Sequence, residues 1–179
     1  MIQNQVRKIL QSLFLFLLLL VPSLGFGDEE FSHRKGFLIG FGPLVGYETN
    51  DLQRWMGGGE FRIGGGITDK ILLYYEGSFA MTSLHSKTFD FDDNQVKAQF
   101  FLWKNLYLNF GVGATIGETS EGKTTTETDV GFITSAGFGN EFRLKRRFFV
   151  SPEATLSYRR IEKNNYIMPG LIFHMGWYF

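Results

Sequence analysis

The 179-residue chain contains no cysteine, which excludes a disulfide framework, a Cys-based metal site and a lipidated cysteine anchor. Its three histidines, His33, His85 and His174, lie far apart and suggest no metal constellation. No metal or other cofactor is expected. Charge of one sign is also missing: 18 Lys and Arg balance 18 Asp and Glu. With no basic stripe to meet a phosphate backbone, nucleic acid is not expected as a partner. After residue 28 every apolar stretch is short and broken by Gly or charge, so no segment there resembles a transmembrane helix. The glycine runs beginning at Gly57 and Gly64 lack the Lys-Ser/Thr pair and following helix of a phosphate loop.

The N-terminus does carry a signal. Arg7 and Lys8 precede an apolar run over 13–21, followed by Pro22 and the small residues Ser23, Gly25 and Gly27. That order is the one found in secretory signal peptides, and the run falls well short of the roughly 20 residues needed to span a bilayer. Residues 1–27 are therefore expected to be a cleaved signal peptide, cut after Gly25 or Gly27, and 28–179 a single domain.

From Gly36 onward the pattern becomes period-two alternation in segments of about ten residues, each bounded by polar clusters. Eight segments can be marked, at 36–47, 54–67, 71–82, 91–103, 107–117, 129–144, 148–159 and 166–179. Connectors at 68–70, 104–106 and 145–147 are short; those around Asn50, Ser86, Glu121 and Asn164 are expected to be longer, with 117–129 a mobile loop. In the third segment Ile71, Leu73, Tyr75, Phe79 and Met81 share a face opposite Glu76, Ser78 and Thr82. The fifth places Phe110 and Val112 opposite Asn109, Gly111 and Thr115, and the last places Phe173 and Trp177 opposite Gly170, His174 and Gly176.

Such alternation fits a soluble barrel with an apolar inside or a membrane barrel with an apolar outside. Volume favours the second, because an eight-stranded barrel has an interior only just wide enough for its inward side chains. Several large apolar residues per strand would overfill it. Aromatics near segment ends suggest two interfacial girdles, with Tyr47, Trp55, Phe79, Phe91, Tyr158 and Tyr166 at one level and Trp103, Tyr107, Phe142, Phe148 and Trp177 at the other. Phe101, Trp103 and Phe149 break strict alternation, which implies bulges or aromatic plugs.

The terminal row Phe173, Met175, Trp177, Phe179 resembles the C-terminal signal that the barrel assembly machinery reads, although His174 stands where that pattern usually has Gly. Together with the alternation, the whole mature chain resembles the small OmpA/OmpX-type barrels. The resemblance implies an all-β, eight-stranded antiparallel up-and-down transmembrane barrel in the bacterial outer membrane. Since recognition usually sits on loops held by a rigid scaffold, the protein is expected to be a monomer, surrounded by lipid and lipopolysaccharide, whose extracellular loops carry a structural or surface-interaction role.

Inward positions carry a nearly balanced set of charges: Glu60, Arg62, Glu76, Lys97, Glu141, Arg143 and Glu153, with Gln99 among them and Arg159 near the outer mouth. Unpaired buried ions cost several kcal/mol, so these residues are expected to form a salt-bridged plug rather than a porin-like channel. The alternatives are a small pore and a lipid A-modifying enzyme similar to acyltransferase or deacylase barrels in size. For the enzyme, His85, Ser83, Ser86 and Asp90 would supply base, nucleophile and orienting carboxylate. The deacylases' His-x-Ser pair is missing, however, since His85 is followed directly by Ser86. Pro43, Pro152 and Pro169 fall inside predicted strands and are expected at bulges.

Overall fold

Period-two alternation becomes a closed antiparallel sheet in the computed structural model, which describes residues 34–50, 52–84, 87–121 and 124–179. The signal segment 1–27, with Arg7 and Lys8, lies outside the described residues, as does His33. The strands are β1 (Gly36–Glu48), β2 (Arg54–Thr68), β3 (Ile71–Leu84), β4 (Lys87–Trp103), β5 (Leu106–Glu121), β6 (Thr124–Glu127), β7 (Gly131–Asn140), β8 (Phe142–Arg143), β9 (Phe148–Ile161) and β10 (Asn164–Tyr178). Pairing runs β10-β1-β2-β3-β4-β5-β7-β9, and β9 pairs with β10 to close the circle. The short β6 pairs with β5 and the two-residue β8 with β9, leaving eight strands around the barrel. Closure removes the two open edges that a flat sheet would expose.

Most of the large apolar side chains point outward, apart from two clusters inside the lumen. Phe61 is 52% exposed and Phe110 54%, while their strand neighbours Glu60, Arg62 and Asn109 are buried. This is the reverse of a soluble barrel, and it follows from interior volume: eight strands leave room for polar residues and a few ring layers but not for the whole set of large apolar side chains.

Two sequence expectations change at the end remote from the C-terminus, here called the far end. Its connections are not long loops. Leu84 pairs with Lys87 and Glu121 with Thr124, so only residues 85–86 and 122–123 join those strands. The stretch 117–129 is mostly a strand hairpin, with Glu118 opposite Glu127 and Thr119 opposite Thr126. β-branched threonines suit extended backbone better than a polar-loop reading allows. β4 likewise starts at Lys87, four residues before the expected boundary at Phe91. β3, β4, β5 and β6 therefore continue beyond the point where β7 begins at Gly131 opposite Thr115.

The prolines do not sit at bulges. Register shifts occur between Gly66 and Thr68 and between Phe101 and Trp103, and none occurs at Pro43, Pro152 or Pro169. Pro152 and Pro169 lie in the continuous β9–β10 ladder. At Pro43 the β1–β10 ladder is interrupted: Phe41 pairs with Met175 and Leu44 with Ile172, with no partners recorded between, yet the register is the same on both sides. A missing donor breaks the ladder without inserting a residue. Beyond Gly46–Gly170 the seam is held by the Thr49 amide and hydroxyl, which donate to the Ile167 carbonyl at 2.9 and 3.0 Å.

The aromatic girdles also need correction. Tyr47, Trp55 and Tyr158 lie outside near the far end and Trp103, Phe148 and Trp177 near the terminal end. Phe91 and Tyr107 are instead buried in the lumen, and Tyr166 packs against its apolar cluster. Phe101 and Phe149 are plugs, as their break in alternation suggests, and a bulge follows Phe101.

Candidate functional site

The inward face of β4 shows the lumen one layer at a time: Phe91, Asp93, Gln95, Lys97, Gln99 and Phe101, all buried. Alternation sends every second residue inside, so one strand samples the barrel from far end to terminal end. Phe91 belongs to an apolar cluster with Leu44, Met56, Ile161, Met168 and Ile172. Asp93 is held by Arg159, whose Nη2 donates to Oδ2 at 2.5 Å and whose Nε donates to Oδ1 at 2.9 Å. Gln95 accepts from the Ser135 hydroxyl at 2.7 Å.

The middle layer carries most of the predicted charge set. Lys97 Nζ lies 2.5 Å from Glu76 Oε1. His174 sits between two carboxylates, with Nε2 at 2.9 Å from Glu153 Oε2 and Nδ1 against Glu60 Oε1. Each ring nitrogen of His174 thus faces a carboxylate from a different strand. Three carboxylates, Glu60, Glu76 and Glu153, share the buried lumen with Arg62, Lys97 and His174. Glu153 Oε2 also accepts from the Tyr107 hydroxyl at 2.9 Å and from Asn109 Nδ2 at 2.8 Å. Arg62 forms no ion pair among the described residues; its guanidinium lies 5.1 and 5.5 Å from the ring centroids of Phe149 and Tyr74. Those rings, with Leu38, Leu72, Phe101, Tyr107 and Tyr178, form an apolar layer toward the terminal end.

Glu141 and Arg143 are not in the middle layer. The sixth predicted strand ends at Asn140, and both residues lie past it at the terminal end. Glu141 accepts from Arg143 Nε at 2.8 Å, Arg34 Nε at 3.1 Å and the Tyr178 hydroxyl at 2.7 Å. Arg34 also stacks 3.6 Å over the Phe101 ring and donates to the Lys104 carbonyl at 2.8 Å. Sequence reasoning thus grouped in one network charges that occupy separate layers, and it missed Asp93, Arg34 and His174 as members. Asp93 and His174 had a usable signal, since each continues the inward parity of its strand.

On the exterior, Phe173, Met175 and Trp177 form one row of β10 that Phe179 continues just past its end, with Trp177 packed 5.0 Å from the Phe148 ring and 6.1 Å from Phe41. The enzymatic candidates are not assembled among the described residues. Ser83 lies 3.3 Å from the Thr88 hydroxyl, Asp90 is opposite Met81, and His85 and Ser86 lie outside the described residues.

No protein-family model and no curated protein matches the sequence. Solved structures do. The chain superposes on Neisserial surface protein A with a TM-score of 0.68 at 11% identity, covering 82% of this chain and 99% of that one. This is the fold of the small outer-membrane β-barrels. Ail, the attachment invasion locus protein of Yersinia pestis, gives 0.60 at 12% identity over 82% of this chain and 99% of its own. The N-terminal barrel of Pseudomonas aeruginosa OprF gives 0.54 at 13%, over 80% and 99%. At such identities the shared feature of these outer-membrane barrels is architecture: eight strands, an apolar outside and a narrow inside.

Proposed function

We propose that this protein is a monomeric bacterial outer-membrane barrel with a plugged lumen, acting by surface interaction through its far end, which faces outside the cell. The observation that carries the reading is the continuation of β3, β4, β5 and β6 past the start of β7. It leaves a polar sheet whose last strand, Thr124–Glu127, pairs on one side only. An exposed strand edge offers backbone donors and acceptors to an extended partner segment.

Charge narrows the partner. Asp90, Asp92, Glu118 and Glu127 lie near one another on this part of the wall. Ail has been solved with the polyanion sucrose octasulfate, but this acidic column favours a neutral or basic segment here. The test is binding of a fluorescent, strand-forming basic peptide to the refolded barrel, with its acidic counterpart as control. Preference for the basic peptide, lost in the E118K/E127K variant, supports the reading, and equal binding of both peptides refutes it.

Layers of apolar rings and paired charges support the plug. Purified barrel in planar bilayers is expected to show no stable conductance, and steady single-channel currents would return the pore reading. The exterior row Phe173, Met175, Trp177 and Phe179 is proposed as the segment that the barrel assembly machinery reads.

A further inference from the structure

The outer wall of β1 to β4 is indented. Outward positions there carry Phe41 and Pro43 on β1, Gly59 and Phe61 on β2, and Gly77 and Phe79 on β3; the Phe61 ring lies over Gly77, and at Gly59, where no side chain stands, a groove of about 630 Å³ opens. Pro43, Gly59, Phe79 and Asp92 are register partners on consecutive strands, so the groove crosses four strands and ends at Asp92 and Asn94. It borders the gap in the seam at Pro43.

The protein's own packing does not dictate the bare position at Gly59. A Cβ on neighbouring Gly58 would strike the Phe79 carbonyl oxygen at 1.8 Å, so that glycine is required by strand contact. At Gly59 a Cβ would meet only the edge of the Phe79 ring, at 3.3 Å, and the Gly42 oxygen at 3.5 Å. A concave, mostly apolar site of this size with a few polar groups at one end has the form of a small-ligand site.

The polar end specifies the ligand. Asp92 is exposed where the apolar outer wall gives way to the acidic column of the far end. Its charged neighbours among the described residues, Asp90 and Glu118, have the same sign. Asn94 accepts a hydrogen bond from the Tyr75 hydroxyl, which leaves its NH2 group as a donor. Asp92 and Asn94 thus offer an acceptor and a donor side by side, which suits a hydroxyl or amide and disfavours a bare phosphate.

We propose that this groove holds one acyl chain of an outer-leaflet glycolipid, an amide-linked hydroxyacyl chain whose amide or hydroxyl hydrogen-bonds to Asp92 and Asn94. The proposal rests on the outer-membrane reading above. The test refolds the mature barrel into vesicles containing two lipids of equal chain length, an N-(3-hydroxyacyl)glucosamine lipid and a phosphatidylglycerol. Lipid retained after detergent extraction is counted by native mass spectrometry, and folding of each variant is checked by the gel shift on boiling. One glycolipid per barrel is expected, preferred by about tenfold. G59L should abolish retention, G57L should keep it because a Cβ at Gly57 meets nothing within 4 Å, and D92L should keep a lipid but lose the preference. Equal retention of both lipids, or unchanged retention in folded G59L, overturns the proposal. A barrel that fails to enter vesicles at all overturns the membrane reading with it, a result distinguishable from insertion without selectivity.

Discussion

Removing Arg159 alone should be more damaging than removing it together with Asp93. Both side chains are almost fully buried, at 1% and 2% exposure, and Arg159 spends two nitrogens on the Asp93 carboxylate and a third, Nη1, on the Ser157 hydroxyl at 3.0 Å. R159M strands a carboxylate beside the apolar cluster around Phe91, which should cost about 3–5 kcal/mol. The double variant R159M/D93L deletes both charges and refills the space, and should return to within about 1–2 kcal/mol of wild type because neither group then needs a counter-ion. With a urea slope of about 1–3 kcal/mol per molar, the single variant should lower the unfolding midpoint by on the order of 1–5 M. Refolded barrels in lipid vesicles, titrated with urea and followed by tryptophan fluorescence, give these midpoints directly. Additive losses, with the double variant worse than R159M, would refute the claim that the pair is held by mutual need.

Other outcomes follow from single positions. Gly113→Ala should block folding or cost more than about 3 kcal/mol, because its Cβ would fall 1.9 Å from the Asn94 carbonyl oxygen; Gly57→Ala, with open space around it, should unfold within about 0.5 kcal/mol of wild type in the same titration. Phe179→Ala should reduce the heat-modifiable barrel that accumulates in cells while leaving the urea midpoint of refolded protein nearly unchanged, since Phe179 is 62% exposed. Desolvation first, then the charge of Asp92, holds the Asp90 carboxyl above its ordinary value; desolvation, then Asp90, Glu127 and Asp92, does the same for Glu118. A raised carboxyl binds its proton more tightly folded than unfolded, so stability should rise as pH falls through the folded value. Amide protection of the β5–β6 hairpin, corrected for intrinsic exchange rates, should therefore increase between about pH 7 and pH 4; a decrease would mean that the carboxylates are stabilising as anions.

The barrel wall was legible because alternation is a local signal that each strand carries by itself. Leu73, Tyr75 and Phe79 face outward on β3 and Glu76 faces inward, as their spacing alone requires. The far-end hairpin was not legible, since threonines and glutamates around Thr125 fit a polar loop equally well and only pairing with β5 distinguishes the two. Layering of the lumen was hidden for another reason. Glu141 and Glu153 are both acidic residues at predicted inward positions, but which cation each meets depends on the stagger between strands, which no single segment records. His174 looked like a departure from a terminal pattern and is in fact the residue that two carboxylates grip.

Pairing that runs to Leu84–Lys87 and to Glu121–Thr124 leaves this part of the far end built from paired backbone. In the proposed surface-interaction role, such a surface has few ways to reshape itself around a ligand, so adaptability would come from the partner. Recognition should then tolerate little variation in the partner's backbone path, while side-chain changes along the strands adjust which partner is chosen. Such a surface also freezes little additional chain on binding, so the entropic cost of association falls on the partner.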